Sequence, residues 1–114
     1  MFSKKTETKI NEAVTLEIVN ACKTYGAVYN SNHEGYAVLL EEVEETENNL
    51  DYIKNHLTLI WDAVKQNNEN EVKSNARIIA LDAVELAKEA CQIAAVCRKI
   101  LGETENARED YTAR

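Results

Sequence analysis

Apolar residues recur at intervals of three and four along most of the chain, which is the spacing of one face of an α-helix. Three stretches keep this spacing, at about residues 5–24, 34–66 and 72–101. In the second stretch the line of residues on this face, which we call the apolar seam, consists of Leu39, Val43, Thr46, Leu50, Ile53, Leu57, Ile60 and Val64. In the third stretch the seam consists of Ile79, Ala83, Leu86, Ala90, Ile93, Cys97 and Ile100. The pattern predicts three amphipathic helices.

The residues around these stretches predict where the helices begin and end. Gly26 and Gly102 stand just after the first and third stretches, where glycine commonly ends a helix. Ser31 and Glu34 form a capping-box pattern that predicts the start of the second helix. The polar run at residues 67–70 predicts the turn between the second and third helices.

Composition supports an all-α fold, because the chain has no proline and only three glycines among 114 residues. A β-sandwich or barrel needs many tight turns, which this composition does not supply. We expect an antiparallel bundle of three to four helices, completed by oligomerisation. The length suits one helical domain, residues 1–102, followed by a polar tail at 103–114.

The length of the helices predicts a homo-oligomer. A helix of about 30 residues is about 45 Å long, whereas a compact chain of this size has a radius of gyration of only about 13 Å. Either the second helix is kinked, for example at Asn48 and Asn49, or the hairpin packs against another copy. Three amphipathic helices also bury an apolar stripe less completely than four. We therefore expect a homodimer or homotetramer, with Trp61 buried in the core or in an interface.

The charge balance limits the partners. Twenty acidic residues against 13 Lys and Arg give a net charge of −7, which argues against binding to nucleic acid or to an anionic membrane. Three cysteines without a CxxC motif indicate neither a disulfide framework nor a structural zinc site. The chain begins without an apolar signal region and has no apolar run long enough to span a membrane. These features favour a cytoplasmic protein.

Polar residues accompany the apolar seams at the positions one step before them. On the second helix this line includes Glu42, Glu45, Asn49, Tyr52 and His56; on the third it includes Asp82, Glu85, Glu89 and Gln92. Carboxylates beside a core are partly desolvated, which is costly unless a cation pairs with them. Mg²⁺ suits this role, because it takes carboxylates, water and substrate phosphate as ligands.

An antiparallel hairpin that turns near residues 68–70 brings some of these acids together. In that register Glu42 and Glu45 lie within about one turn of Glu89 and Gln92. These four residues are predicted to converge on one metal ion. Asp82 and Glu85 fall two to three turns away.

Residues 41–45, Glu-Glu-Val-Glu-Glu, match the EExxE motif of the MazG-like all-α nucleoside triphosphate pyrophosphohydrolases. Residues 33–42, HEGYAVLLEE, and residues 89–95, EACQIAA, also resemble small phage and prophage members of that superfamily. The resemblance covers about residues 28–101. It implies an enzyme of a bacterial or phage-infected cell that cleaves the α–β phosphoanhydride of an NTP or dNTP, giving a monophosphate and pyrophosphate.

The resemblance also implies roles for individual residues. Glu42 and Glu45 would bind Mg²⁺, with Mn²⁺ as a substitute, and Glu41 or Glu45 would accept the proton of the attacking water. Glu89 would stand for the glutamate of the family's second metal motif, ExxD. Gln92 occupies the aspartate position of that motif, and a neutral amide is a weaker ligand for Mg²⁺ than a carboxylate.

Several residues are candidates for contact with the substrate. Lys88 and Arg98 lie on the helix that would face the polyphosphate, but Lys54, Arg77 and Lys99 are alternatives. Tyr36, together with Tyr25 and Tyr29, lies around the connection before the second helix, where these rings either line a nucleobase pocket or close the loop by apolar packing.

Two other functions fit the same sequence. One is a protein that binds a nucleotide or a nucleotide-like signal without hydrolysing it, which the glutamine at position 92 favours. The other is a phage-encoded helical interaction or inhibitor module, acidic enough to bind a basic surface. In that case residues 41–45 are simply a solvated helix face.

Overall fold

The structure, a computed structural model, describes residues 2–104 and confirms the all-α class. Three helices account for the regular secondary structure of these residues: α1 (Lys4–Tyr25), α2 (Asn32–Lys65) and α3 (Glu69–Ile100). α2 continues unbroken through Asn48 and Asn49. The predicted polar tail lies outside the described residues except for Glu103 and Thr104.

The predicted start of α2 is confirmed, with one difference in its hydrogen bonds. The Ser31 hydroxyl accepts a hydrogen bond from the Glu34 backbone N–H at 3.2 Å, as in a capping box. The Glu34 carboxylate, however, accepts hydrogen bonds from the backbone N–H and the side-chain amide of Asn30, at 3.3 and 3.0 Å. The Glu34 carboxylate therefore bonds Asn30 of the connecting segment. In a complete capping box it would instead accept a hydrogen bond from the backbone N–H of Ser31.

The ends of α1 and α3 also lie where the glycines predict them. Gly26 has φ 86° and ψ 173°, and its N–H donates to the Cys22 carbonyl. Gly102 has φ 78°, and its N–H donates to the Lys99 carbonyl while the Glu103 N–H donates to the Arg98 carbonyl. The second pattern is a Schellman motif, which satisfies carbonyls that have no partner within the helix.

The chain divides into two compact units, which we describe separately. The first, the three-helix unit, contains the described residues up to Val43 and those from Ala90 onward. Its core consists of Val14, Ile18 and Cys22 of α1 packed with Ala95 of α3.

The second unit, the hairpin unit, contains residues 44–89, where α2 turns back into α3. The turn is made by Asn67, which has φ 53°, and by Asn68, whose side-chain oxygen accepts a hydrogen bond from the Glu71 N–H. Because asparagine tolerates the left-handed region and caps helices well, these two residues end one helix and start the next.

Burial in the hairpin unit departs from the predicted seam. The buried and half-buried positions of α2 are Thr46, Asn49, Ile53, His56, Ile60, Asp62 and Ala63, and those of α3 are Val72, Asn75, Ile79, Asp82, Leu86 and Glu89. We call these two sets the contact lines. Leu50, Leu57 and Val64 belong to the seam but are 41, 59 and 47% exposed. Along the contact line of α2, residues of the apolar seam such as Ile53 and Ile60 thus alternate with residues of the polar line such as Asn49 and His56.

Trp61 does not lie in the core of the chain, contrary to one of the two predicted locations. It is 60% exposed, and the Lys65 ammonium lies 5.7 Å from the centre of its ring. The burial of this large side chain in an interface remains a prediction.

Candidate functional site

In the hairpin unit, the antiparallel register brings two of the predicted metal ligands together across α2 and α3. Carboxylate oxygens of Glu45 and Glu89 lie within 4.8 Å of each other. Glu42 stands one turn before Glu45 on the same helix but belongs to the three-helix unit. We call Glu45 and Glu89 the acidic cluster.

The donor set of the acidic cluster suits a hard divalent cation. Its two carboxylates offer oxygen atoms, the ligands that Mg²⁺ and Mn²⁺ prefer. Glu42 and Glu89 are half-buried, so their charged forms are less well hydrated than those of exposed acids.

Gln92, the fourth predicted ligand, lines a cavity of about 270 Å³ in the three-helix unit. Glu42 lines the same cavity. Three polar residues of α1 complete one wall: Glu17, Asn20 and Thr24. The cavity wall therefore contains two predicted metal ligands, Glu42 and Gln92, together with hydrogen-bonding groups of α1 that can orient a polar ligand.

Tyr29 also lines this cavity, and its hydroxyl stays protonated. Burial raises the pKa of Tyr29, and the negative charges of Glu34 and Glu42 raise it further. The Lys99 ammonium lies 4.1 Å from the centre of the Tyr29 ring, and Lys99 itself is only 2% exposed. At neutral pH the Tyr29 hydroxyl is therefore available as a hydrogen-bond donor.

The remaining predicted site residues lie in other surroundings. Glu41 is exposed and is not among the acids whose oxygens meet in the acidic cluster. Lys88 is exposed and forms a salt bridge of 2.9 Å with Glu85. Tyr36 is 65% exposed, and Arg98 is half-buried. The side chain of Tyr25 lies outside the described part of the chain.

Sequence reasoning missed the contribution of α1 to the cavity. Glu17, Asn20 and Thr24 follow one another at intervals of three and four, each one step before a less polar residue. The polar lines of the second and third helices were identified one step before an apolar seam. On the first helix the same rule finds Glu17, which precedes Ile18, but neither Asn20 nor Thr24.

Comparison with protein-family models, with curated proteins and with solved structures finds no match to this chain. Among residues 2–104, no helix is both long enough and apolar enough to cross a bilayer. The fold and the site thus define an all-α protein with two neighbouring carboxylates in its hairpin unit and a polar cavity in its three-helix unit.

Proposed function

We propose that the protein is a Mg²⁺-dependent nucleoside triphosphate pyrophosphohydrolase of the MazG-like type, which cleaves the α–β phosphoanhydride of an NTP or dNTP. The observation that carries the proposal is the acidic cluster, in which carboxylate oxygens of Glu45 and Glu89 lie within 4.8 Å. The EExxE motif at residues 41–45 supports it, because it supplies Glu45, a member of the cluster.

The acidic cluster would hold the metal through Glu45 and Glu89. Glu42 remains a predicted third ligand. When bound, Mg²⁺ neutralises charge on a triphosphate and lowers the pKa of a coordinated water. Of the two bases considered, Glu45 is the better placed, because it belongs to the cluster whereas Glu41 is exposed. The Glu45 carboxylate would accept the proton of the water that attacks the phosphoanhydride.

The cavity of the three-helix unit would receive the nucleoside part of the substrate. Its volume of about 270 Å³ lies just below the range of about 300–1,000 Å³ that is typical of small-molecule pockets. Asn20 and Gln92 can each donate and accept hydrogen bonds, and the Tyr29 hydroxyl can donate one.

The proposed activity has consequences for location and assembly. Nucleoside triphosphates are substrates of the cell interior, so we place the protein in the cytoplasm of a bacterial or phage-infected cell. We also propose that it works as a homodimer or homotetramer.

A nucleotide-binding protein without hydrolytic activity is the second candidate. Gln92 supports it, because this residue lines the cavity with a neutral amide where the resembling family has an aspartate. Weaker metal binding would leave nucleotide binding intact while slowing or abolishing hydrolysis.

Pyrophosphate release from a panel of NTPs and dNTPs with Mg²⁺ tests the proposal. We expect Glu45→Gln to lower kcat/KM by more than about 100-fold, because it removes a metal ligand rather than an outer partner of one. Glu44→Gln is the matched control: the same substitution at the next residue, which is exposed and outside the cluster. It should leave activity within about twofold of wild type.

The outcomes separate the candidates. If no nucleotide releases pyrophosphate, the hydrolase proposal is rejected. A rise in thermal midpoint with a nucleotide would then favour the binding protein, since a ligand of the native state stabilises it. Equal loss of activity in Glu44→Gln and Glu45→Gln would show that the acidic cluster is not the metal site.

A further inference from the structure

One wall of the cavity in the three-helix unit is formed by a single face of α1. Glu17, Asn20, Ala21 and Thr24 all line the cavity. Because these residues stand at positions i, i+3, i+4 and i+7 of one helix, their side chains lie on the same side of it. The wall is therefore a row of three polar side chains, with the small Ala21 between them.

Glu17 has the most restrictive hydrogen-bonding chemistry in this row. Its side chain is half-buried, and its carboxylate forms no hydrogen bond or ion pair within the part of the chain that the structure describes. A carboxylate only accepts hydrogen bonds. A carboxylate that is partly removed from water and unused by its own chain is best satisfied by a ligand that brings N–H donors.

Thr24 adds a second acceptor to the row. Its hydroxyl donates a hydrogen bond of 3.1 Å to the backbone carbonyl of Asn20, one turn earlier in α1. A hydroxyl has a single hydrogen, so the Thr24 oxygen can only accept a hydrogen bond from a ligand while this bond is made. Of the three polar side chains in the wall, only the Asn20 amide can therefore donate to a ligand.

The remaining lining of the cavity has a different character. The Tyr29 hydroxyl is a donor, since burial raises the pKa of Tyr29, and Gln92 of α3 carries an amide. Apolar side chains of α2 and α3 complete the lining: Val38, Ala95 and Val96. The cavity thus suits a flat ring that presents its donors to α1 and its acceptors to the other polar groups.

Nucleobases differ in the exocyclic groups that such a wall can distinguish. Cytosine, adenine and guanine carry an amino group, which donates hydrogen bonds and pairs well with a carboxylate. Uracil, thymine and hypoxanthine lack it and present carbonyl oxygens, which only accept. A carbonyl oxygen against the Glu17 carboxylate would leave two acceptors without a donor, which is costly in a partly desolvated site.

We propose that the cavity selects nucleotides whose base carries an exocyclic amino group, and that Glu17 makes this selection. Because the cavity must first receive the nucleoside, the selection rests on the proposed function or on the nucleotide-binding alternative to it. Glu17 is not a member of the acidic cluster, so a change of this residue removes no proposed metal ligand.

Nucleotide pairs that differ at the exocyclic group test the selection. The pairs are CTP with UTP, ATP with ITP, and GTP with ITP, with the deoxynucleotides as a parallel set. In the pair that the wild type hydrolyses fastest, we expect the amino member to be preferred by at least about tenfold in kcat/KM, because the other member leaves polar groups unpaired. Pyrophosphate release measures this preference.

Glu17→Gln isolates the contribution of the carboxylate. A glutamine amide donates as well as accepts, so it can pair with an amino group or with a carbonyl oxygen. We expect the preference for the amino member to fall by about tenfold, because a base without the amino group no longer leaves an acceptor unpaired. Glu12→Gln is the matched control, since Glu12 is a half-buried residue of the same helix that does not line the cavity; its preference should equal that of the wild type.

Nucleoside binding tests the cavity without hydrolysis. In the absence of metal, the NMR signals of the Asn20 and Gln92 side-chain amides are followed during titration with cytidine or uridine, and with adenosine or inosine. We expect the amino nucleoside of a pair to shift these signals at a lower concentration than its counterpart.

The two measurements separate this selection from the hydrolase proposal. Pyrophosphate release without a preference inside any pair would overturn the selection and leave the hydrolase standing. Preferential binding of an amino nucleoside without pyrophosphate release would reject the hydrolase and support the selection in a nucleotide-binding protein. A preference that Glu17→Gln leaves unchanged, or that Glu12→Gln lowers equally, would overturn the role of Glu17. Failure of every nucleoside and every nucleotide would reject both proposals.

Discussion

At the scale of single residues, two glycines are required for different reasons. Gly26 has φ 86° and ψ 173°, a backbone conformation that only glycine adopts without strain. Gly35 lies within α2, where a Cβ atom would stand 3.2 Å from Ile100 and 3.3 Å from Tyr29. Gly26 is required because of its backbone conformation, and Gly35 is required because there is little space for a side chain.

The same substitution at both glycines should separate these reasons. Gly26→Ala should lower the free energy of unfolding by about 1–3 kcal/mol, because alanine is strained in that conformation. Gly35→Ala should change it by less than about 1 kcal/mol, because the higher helix propensity of alanine offsets the crowding. Urea denaturation of the two variants measures both values. A smaller loss for Gly26→Ala than for Gly35→Ala would contradict this explanation.

At the scale of helices, the turn between α2 and α3 is specified locally. The Asn67 N–H donates to the Val64 carbonyl, the Asn68 N–H donates to the Ala63 carbonyl, and the Asn68 side chain caps α3. Two successive asparagines thus end one long helix and begin the next without glycine or proline.

Removing the cap should weaken the hairpin. Asn68→Ala should lower the free energy of unfolding by about 1 kcal/mol, since the Glu71 N–H loses its side-chain acceptor. Asn68→Asp keeps an oxygen at the same place and places a negative charge near the start of α3, so it should retain wild-type stability or exceed it. Thermal or urea unfolding of the two variants gives the comparison. An unchanged stability in Asn68→Ala would show that the cap is unimportant.

At the scale of the whole molecule, assembly and stability should be linked. Leu50, Leu57 and Trp61 of α2 are 41, 59 and 60% exposed in one chain, so their burial can contribute to stability only when two chains meet. We expect the thermal midpoint of the wild type to rise by several degrees between about 1 and 100 µM. Leu57→Asp should remove this dependence. Circular dichroism at the two concentrations measures it, and a concentration-independent wild type would argue against coupling.

Local features of this fold were predictable from sequence. The starts and ends marked by Gly26, Ser31 and Gly102 were confirmed because each depends on hydrogen bonds within a few residues. The proximity of Glu45 and Glu89 was also predicted, because the position of the turn determines which residues of two antiparallel helices lie level.

Other features were not predictable in the same way. Leu57 was assigned to the seam, but a rotation of the helix by a fraction of a turn exposes it and half-buries His56 instead. Likewise, Gln92 was grouped with the acids, and the structure places it in the wall of a cavity that Asn20 of α1 completes.

Sequence periodicity therefore determined the number of helices, their ends and the register of the hairpin, because these follow from interactions between neighbours along the chain. The tertiary structure decided which side of each helix is covered and which polar groups line the cavity. A helix has almost the same internal energy whichever of two adjacent stripes faces its partner. Only packing against the other helices selects between them.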